Sequence, residues 1–204
     1  MGLACAEALG AGGAELLLCD IDGMALTGAA ERLRAFARYC DAIEDNSVAI
    51  LAAEIADKFA SIDILINAAG RGYVRALAMM RMTRAFMPLL RRATGRRILV
   101  NIAPAGGFVS SDGMFPYASS LGAFERLTEA IAEQTRGTSI EVMNLTPRLL
   151  RGGPVNDGPT SRLYQLQRVD ERYTADRVVE LVLAERGRAS PQLPRDRGRT
   201  SRPG

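Results

Sequence analysis

The hydrophobic and polar positions of this chain follow two periods, one typical of helices and one typical of buried strands. Continuous apolar runs bounded by small or polar residues predict strands. These runs lie at 14–20, 62–70, 96–104 and 139–147, and a shorter strand is predicted at 38–42. Apolar spacings of three and four residues predict helices. The helices lie at 2–10, 25–38, 46–60, 73–93 and 116–135, with two weaker ones at 160–168 and 174–185.

This alternation of helices and strands, joined by short loops, predicts an α/β fold. In that fold a doubly wound parallel sheet is covered by helices on both faces. Asn46 or Ser47 is expected to cap the helix that runs to about Ala60. Pro88 is expected to end or kink the helix at 73–93.

The carboxyl ends of the predicted strands are where function is expected. In open parallel sheets, ligands bind at this edge. The residues placed there are Asp20, Asp41, the segments 67–70 and 103–107, and Pro147.

The composition narrows the possible chemistry. The 204 residues include no histidine, which excludes a Ser-His-Asp triad, a Cys-His pair and a histidine-bound metal. Lys58 is the only lysine, so chemistry that needs a lysine must use it. Cys5, Cys19 and Cys40 are scattered, which fits buried thiols in a reducing cytoplasm better than a disulfide framework or a zinc cluster. No metal site is predicted.

Length and charge predict one domain with a basic tail. Residues 1–185 are expected to form a single domain, and 186–204, with six arginines and three prolines, a disordered tail. The net charge of +3 is modest and no aromatic residues interleave with the basic ones, so nucleic-acid binding is not favoured. No apolar run reaches the roughly 18 residues of a membrane span. The start of the chain lacks the basic region of a signal peptide, and a cytoplasmic location is expected.

Five stretches of the sequence carry a family resemblance. They are "CDID" at 19–22, "CDA" at 40–42, "INAAG" at 66–70, "ILVNIA" at 98–103 and "YASSLGAFERLTEAIA" at 117–132. In this order they resemble motifs of the short-chain dehydrogenase/reductase family. The resemblance covers roughly residues 1–150. It implies a Rossmann-type fold and an NAD(P)-dependent reaction on an alcohol or carbonyl substrate.

The resemblance implies roles for residues at the cofactor end. Asp20 would hydrogen-bond the adenosine ribose hydroxyls and favour NAD over NADP, because a 2′-phosphate would meet like charge. Asp41 would lie beside the adenine amino group. Asn67, Ala68 and Gly70 belong to a run whose small residues let the backbone approach the cofactor. From the residues alone, a solvated acid at a strand end and a tight strand exit remain open alternatives.

The resemblance also implies a catalytic residue. Tyr117 matches the family's catalytic tyrosine, which donates a proton to the carbonyl oxygen or accepts it in the reverse direction. An isolated tyrosine has a pKa of about 10, and the family lowers it with a lysine four residues later, near a serine and an asparagine. Here those three positions hold Leu121, Pro104 and Arg75. Tyr117 is therefore the one member of the catalytic four that is kept.

The amino-terminal part also departs from the family pattern. The family opens with a strand and a glycine-rich turn that holds the pyrophosphate. This chain starts at the helix that follows them, so the usual first strand and the turn are lacking. That strand would lie between the strands ending at Asp20 and Asn67. Either these two strands close up, or the protein begins upstream of Met1.

Two functions follow as alternatives. The first is an NAD-linked oxidoreductase by descent with a degraded active site, a pseudoenzyme with little or no carbonyl-reducing activity as this chain. The second is a non-catalytic binding or oligomerisation module that associates through the helices at 73–93 and 116–135. The resemblance implies a homo-oligomer and a small alcohol or carbonyl substrate that the sequence does not identify.

Overall fold

A computed structural model describes residues 1–69, 74–102 and 115–145, together with 175, 176, 178–180 and 182; of residues 115–121 it describes the backbone alone. The helices and strands occur in the predicted order. The strands are β1 (Leu17–Asp20), β2 (Phe36–Tyr39), β3 (Ile64–Asn67), β4 (Arg97–Ile102) and β5 (Ile140–Leu145). The helices are α1 (Gly2–Ala11), α2 (Gly23–Leu33), α3 (Asp45–Lys58), α4 (Arg75–Arg92) and α5 (Phe115–Gln134).

The described strands are all parallel and form two sheets. β1 pairs with β2, and β3, β4 and β5 pair in that order. Residues 175, 176, 178–180 and 182 add a further helical segment. The predicted α/β fold with a doubly wound parallel arrangement is confirmed.

Apolar side chains cover both faces of these strands. On one face, Val100 of β4 packs with Cys5 of α1 and with Val178 of the segment at 175–182. On the other face, Leu99 packs with Leu90 of α4 and neighbouring residues of α5 and β5. Helices therefore lie on both faces of the three-stranded sheet, as a buried parallel sheet requires.

Strands of both sheets contribute to the same apolar clusters. Leu16, just before β1, and Ile64 of β3 pack against the cluster that contains Leu9 of α1. Leu17 and Leu65 both pack against the cluster formed by α3 and α4. The two sheets are thus parts of one layer. A cavity of about 220 Å³ lies at the amino ends of β1 and β3, lined by Leu9, Gly12, Gly13, Ala14, Ile64, Val179 and Val182.

β1 and β3 are not hydrogen-bonded to each other. The amides of Phe36 and Cys40 donate to the carbonyls of Leu16 and Asp20, so the alternate residues of β1 turn their backbone groups away from β2. By the same alternation, two residues of β3 turn away from β4. These residues find no backbone partner in the described part of the chain: Leu17, Cys19, Ile64 and Ile66.

The alternative in which these two strands close up is therefore wrong. α1 connects the two sheets. Its residues Cys5 and Leu9 pack on the three-stranded sheet, and a Cβ on Gly2 would lie 3.3 Å from the Cβ of Ala68, directly after β3. The helix then leads within a few residues into β1 of the two-stranded sheet.

Two element boundaries differ from the prediction. The second strand was predicted at 38–42 but runs from Phe36 to Tyr39, because α2 ends early in a left-handed cap at Arg34, with φ 52°. The third helix starts at Asp45, so neither Asn46 nor Ser47 is its cap. The Ser47 hydroxyl instead accepts a hydrogen bond from the Asp41 amide at 2.9 Å.

Pro88 does not end α4, which continues to Arg92. Proline lacks the amide hydrogen that would bond the carbonyl four residues earlier, here that of Arg84. Both Pro88 and Arg84 are exposed, so water can bond that carbonyl instead.

Burial also differs between the predicted strands. β1 and β3 were predicted as strands buried on both faces, but their residues are mostly half-buried, since each has a neighbour on one side only. Within the described residues, no helix is long and apolar enough to cross a membrane.

Candidate functional site

Asp20 ends β1 and is exposed at the carboxyl edge of the two-stranded sheet. Its Oδ1 accepts a hydrogen bond from the Asp22 amide at 3.0 Å, which fixes the rotation of the carboxyl group. Asp22 in turn caps α2 by accepting from the Ala25 amide at 3.0 Å. Within the described residues, the Asp20 carboxyl group has no other hydrogen-bond partner, whereas the Asp20 carbonyl accepts from the Cys40 amide. The second carboxylate oxygen is therefore left unbonded at this edge of the sheet.

Asp41 lies on the neighbouring strand end, directly after β2 and half-buried. Its Oδ1 accepts from the Ile43 amide at 3.0 Å, and its own amide donates to the Ser47 hydroxyl. The Asp41 carbonyl also accepts from the Glu44 amide at 3.1 Å. Since β1 and β2 are paired, the structure brings Asp20 and Asp41 to adjacent strand ends.

Asn67 ends β3 and is buried, with 8% of its surface exposed. Its Nδ2 donates to the Thr83 hydroxyl of α4 at 3.0 Å and to Asn101 Oδ1 of β4 at 2.9 Å. Asn101, fully buried, donates from its own Nδ2 to the Thr128 hydroxyl of α5 at 3.0 Å. Both amide hydrogens of Asn67 are thus used inside the protein. Any contact of Asn67 with a cofactor would have to come from its other atoms.

This polar network was missed by the sequence analysis. It joins the carboxyl ends of β3 and β4 to the helices α4 and α5. The sequence contains a signal for it, because asparagine stands at the same register in three consecutive strands: Asn67 opposite Asn101, and Asn101 opposite Asn144. The prediction lacked the pairing that places these asparagines side by side.

Ala68 follows Asn67 and packs against the apolar cluster under α1. A Cβ at position 2 would lie 3.3 Å from the Ala68 Cβ, so a side chain there would require Ala68 to shift by a few tenths of an ångström. Gly70 lies outside the described residues, as do Pro104, the segment at 103–107 and Pro147.

Tyr117 lies in the first turn of α5, and Leu121 lies one turn later on the same helix. Their side chains are outside the described residues. Arg75 begins α4, the helix that packs beside α5. The backbone therefore places Tyr117, the predicted catalytic residue, at the amino-terminal end of α5. Leu121 occupies the position of the family's lysine.

The thiols near this edge are held in the neutral form. Burial, and to a lesser degree the charges of Cys40 and Asp20, raise the pKa of Cys19 to about 12. Burial also raises the pKa of Cys40. A thiolate is the nucleophilic form of cysteine, so neither residue is suited to nucleophilic chemistry at neutral pH. Within the described residues, no group of acids and cysteines could hold a metal ion.

Comparison with known proteins identifies the family of the chain and supports its fold. A family model described as short chain dehydrogenase matches residues 1–157. The galactitol 2-dehydrogenase (L-tagatose-forming) of Cereibacter sphaeroides is 30% identical over 168 residues. That match covers 72% of this chain and 66% of the relative, so this chain spans about two thirds of the length of the curated relative.

Solved structures share the fold. A short-chain dehydrogenase from Streptomyces avermitilis superposes with a TM-score of 0.77 at 25% identity, covering 90% of this chain and 80% of that one. A short chain dehydrogenase/reductase from Burkholderia phymatum, solved in complex with NAD, gives 0.75 at 21% identity, covering 89% and 81%. With a family model matched over most of its length, the chain belongs to the short-chain dehydrogenase family.

Proposed function

We propose that this protein binds a nicotinamide dinucleotide, preferring NAD, and that it is by descent an oxidoreductase of small alcohols or carbonyl compounds with a degraded active site. Such a cofactor supplies hydride transfer. This chain's residues would hold the adenosine end through Asp20 and Asp41. The observation that carries the proposal is the pair of carboxyl groups at adjacent strand ends, with one oxygen of Asp20 free of any described partner.

The preference for NAD follows from charge. An exposed carboxylate can accept hydrogen bonds from two ribose hydroxyls, whereas it repels a 2′-phosphate. Asp20 is placed for this at the end of β1, and no described arginine or lysine forms an ion pair with it.

A thermal-shift and calorimetric titration tests the cofactor. NAD and NADH are expected to raise the melting temperature more than NADP and NADPH do. Asp20→Asn should weaken NAD binding roughly tenfold and reduce the preference for NAD. Asp57→Asn, which changes another exposed acid, on α3, is the matched control. No shift with any of the four nucleotides would contradict the proposal.

The catalytic half of the proposal rests on α5. Tyr117 and Leu121 stand one turn apart on this helix, so no lysine is present there to lower the pKa of the phenol. General acid catalysis by a tuned group contributes about 10²–10⁴-fold to a rate. We expect this chain to lack most of that factor.

Restoring the missing groups tests this expectation. Pro104→Ser with Leu121→Lys should raise activity above that of the wild type. The assay uses NAD with galactitol and other polyols, and NADH with L-tagatose and simple ketones, because a relative is a galactitol dehydrogenase. Wild-type turnover at an ordinary rate of 1 s⁻¹ or more, on the order of typical enzymes, would show that the site is intact in another form.

A second candidate function is association through α4 and α5. α4 exposes two large apolar residues one turn apart, Leu77 at 38% and Met80 at 40%. Sedimentation should show a dimer or larger assembly that Leu77→Glu with Met80→Glu dissociates. Ile50→Glu, at a more exposed position on α3, is the control. A monomeric wild type would exclude this function.

A further inference from the structure

Arg81 of α4 reaches across to the loop that carries Asp41, defined here as residues 41–45. Its Nε contacts Asp45 Oδ1 at 2.8 Å, and its Nη2 donates to Asp45 Oδ2 at 2.9 Å. Its Nη1 donates to the Ile43 carbonyl. The Arg81 side chain is only 18% exposed, so this guanidinium is committed to the loop and not to solvent.

The remaining contacts of the loop are mostly local. Asp41 bonds the amide of Ile43 through its own side chain and the amide of Glu44 through its carbonyl, and Ser47 holds the Asp41 amide. These bonds define the shape of the turn. They also link the turn to the start of α3, where the Val48 amide donates to the Glu44 carbonyl. Within the described residues, the turn is linked to α4 by Arg81 and by the longer contact of Arg84 with Asp45. Ala42 adds an apolar contact with the cluster under α3 and α4.

An arginine is suited to this task because of its geometry. The planar guanidinium offers several donors in a fixed fork, and a two-point pair with a carboxylate adds direction as well as energy. Arg81 uses one side of the fork for Asp45 and a third donor for the Ile43 carbonyl. It therefore fixes both the position and the orientation of the loop relative to α4.

We infer that Arg81 is a positioning residue that holds the 41–45 loop in the shape that receives the adenosine end of a nucleotide. The inference rests on the proposed nucleotide binding. Arg81 itself touches no ligand in this scheme. It acts through Ile43, whose amide bonds the Asp41 carboxyl group and thereby sets the direction of that acceptor.

The test compares two arginines of the same helix. Arg81→Met keeps the aliphatic stem but removes all three loop contacts. Arg84→Met is the matched control, because Arg84 touches the same Asp45 carboxylate at 3.5 Å, is 75% exposed and makes no described bond to Ile43. AMP and NAD are the probes, titrated by calorimetry well below the melting temperature of each variant. Hydrogen exchange at the Ile43 and Glu44 amides is measured in parallel.

Arg81→Met is expected to weaken AMP and NAD binding roughly tenfold, and to speed exchange at Ile43 and Glu44, with less than a twofold effect from Arg84→Met. Arg81→Lys should recover only part of the affinity, since an ammonium cannot make the two-point contact. A folded Arg81→Met variant with wild-type affinity would overturn the inference and leave the proposed function standing, even if its melting temperature falls. A wild type that binds neither AMP nor NAD would overturn both.

Discussion

The three-stranded sheet and the two-stranded sheet of this protein are both parallel, but they differ in how deeply their strands are buried and in the polar residues at their carboxyl ends. In β4 every residue from Ile98 to Ile102 is buried, whereas no residue of β1 or β2 is. The strand end of the packed sheet holds a closed polar network, with Asn101 at its centre. The strand ends of the thinly packed sheet hold the exposed Asp20 and the half-buried Asp41, each with one carboxylate oxygen that accepts no hydrogen bond within the described residues.

This difference indicates that one sheet positions the helices, whereas the other carries the side chains that could bind a ligand. Buried polar groups must satisfy one another, so the network of the three-stranded sheet fixes α4 and α5 against the strands and has little left for a ligand. Exposed carboxylates keep their capacity to bind, but little apolar packing holds them in place. At the two-stranded sheet, charged and polar contacts such as those of Arg81 and Ser47 take over that role.

The largest expected effect is a difference in packing energy between the sheets. Leu99→Ala removes a side chain with 0% exposure from the centre of the three-stranded sheet and should lower the free energy of unfolding by about 3 kcal/mol. Leu17→Ala, the same change in half-buried β1, should cost about 1 kcal/mol. Urea unfolding measures both. Equal losses would show that the two-stranded sheet is packed as well as the other.

The next effect concerns the polar network. Asn101→Ala removes the acceptor of one Asn67 amide hydrogen and one donor to the Thr128 hydroxyl in a buried site, where only the bonds to Thr83 and to the Phe124 carbonyl remain, at a cost of about 2 kcal/mol. Asn144→Ala removes the same side chain from the neighbouring register position, where it is exposed, and should change stability by no more than about 0.5 kcal/mol. If Asn101→Ala lowered the free energy of unfolding only slightly, the network would not be needed for stability.

How far the sequence predicts this fold can be judged from β4 and β2. The buried positions of β4 are apolar except for Asn101, so the hydrophobicity of the run still identifies it. β2 is short and half-exposed, and its start depends on the left-handed cap at Arg34, a conformation that glycine or asparagine favours and arginine does not signal. The predicted strand was therefore displaced toward Asp41.

The candidate site divides in the same way. Asp20 could be placed at the carboxyl edge because it ends the apolar run of β1. Asp41 lies at the neighbouring strand end although the strand before it, β2, was predicted to start two residues too late. The partners of Asn67 could not be placed, since its bonds to Thr83 and Asn101 depend on strand register and on the rotation of α4. The contact of Arg81 with the 41–45 loop spans 36 residues of sequence and has no motif. The role of Asp20, Asp41 and Asn67 in ligand binding stays a prediction.

A smaller effect is expected at the strand edges that face the gap. The amides of Leu17 and Ile66 have no described backbone partner, whereas Leu18 and Leu65 point toward paired strands. Exposed or unpaired amides open at lower free-energy cost, so Leu17 and Ile66 should exchange about tenfold faster or more. Hydrogen exchange resolved by residue checks this. Equal protection on both edges would indicate that β1 and β3 pair in solution, which would erase the distinction between two sheets.

The smallest effect is a loss of stability at alkaline pH that comes from a thiol of the two-stranded sheet. Cys19 of β1 is only half-buried as a residue, but its thiol packs against the cluster under α3 and α4, and this loss of solvation raises its pKa from 9.0 to about 12. The folded protein therefore keeps the thiol neutral where the unfolded chain ionises it. The folded state therefore binds more protons than the unfolded state between these values. Its stability is full below about pH 9 and falls as the pH rises toward 12, by about 1 kcal/mol at pH 10.

Cys19→Ala should remove this alkaline loss. The difference in unfolding free energy between wild type and variant is measured at pH 7, as the baseline, and again at pH 10. It should shift in favour of the variant by about 1 kcal/mol at the higher pH. The side chain packs against the cluster under α3 and α4, although the β1 backbone beside it faces the gap. An unchanged difference would show that water reaches the thiol through that gap, and that the two-stranded sheet is open on its buried face as well as at its edge.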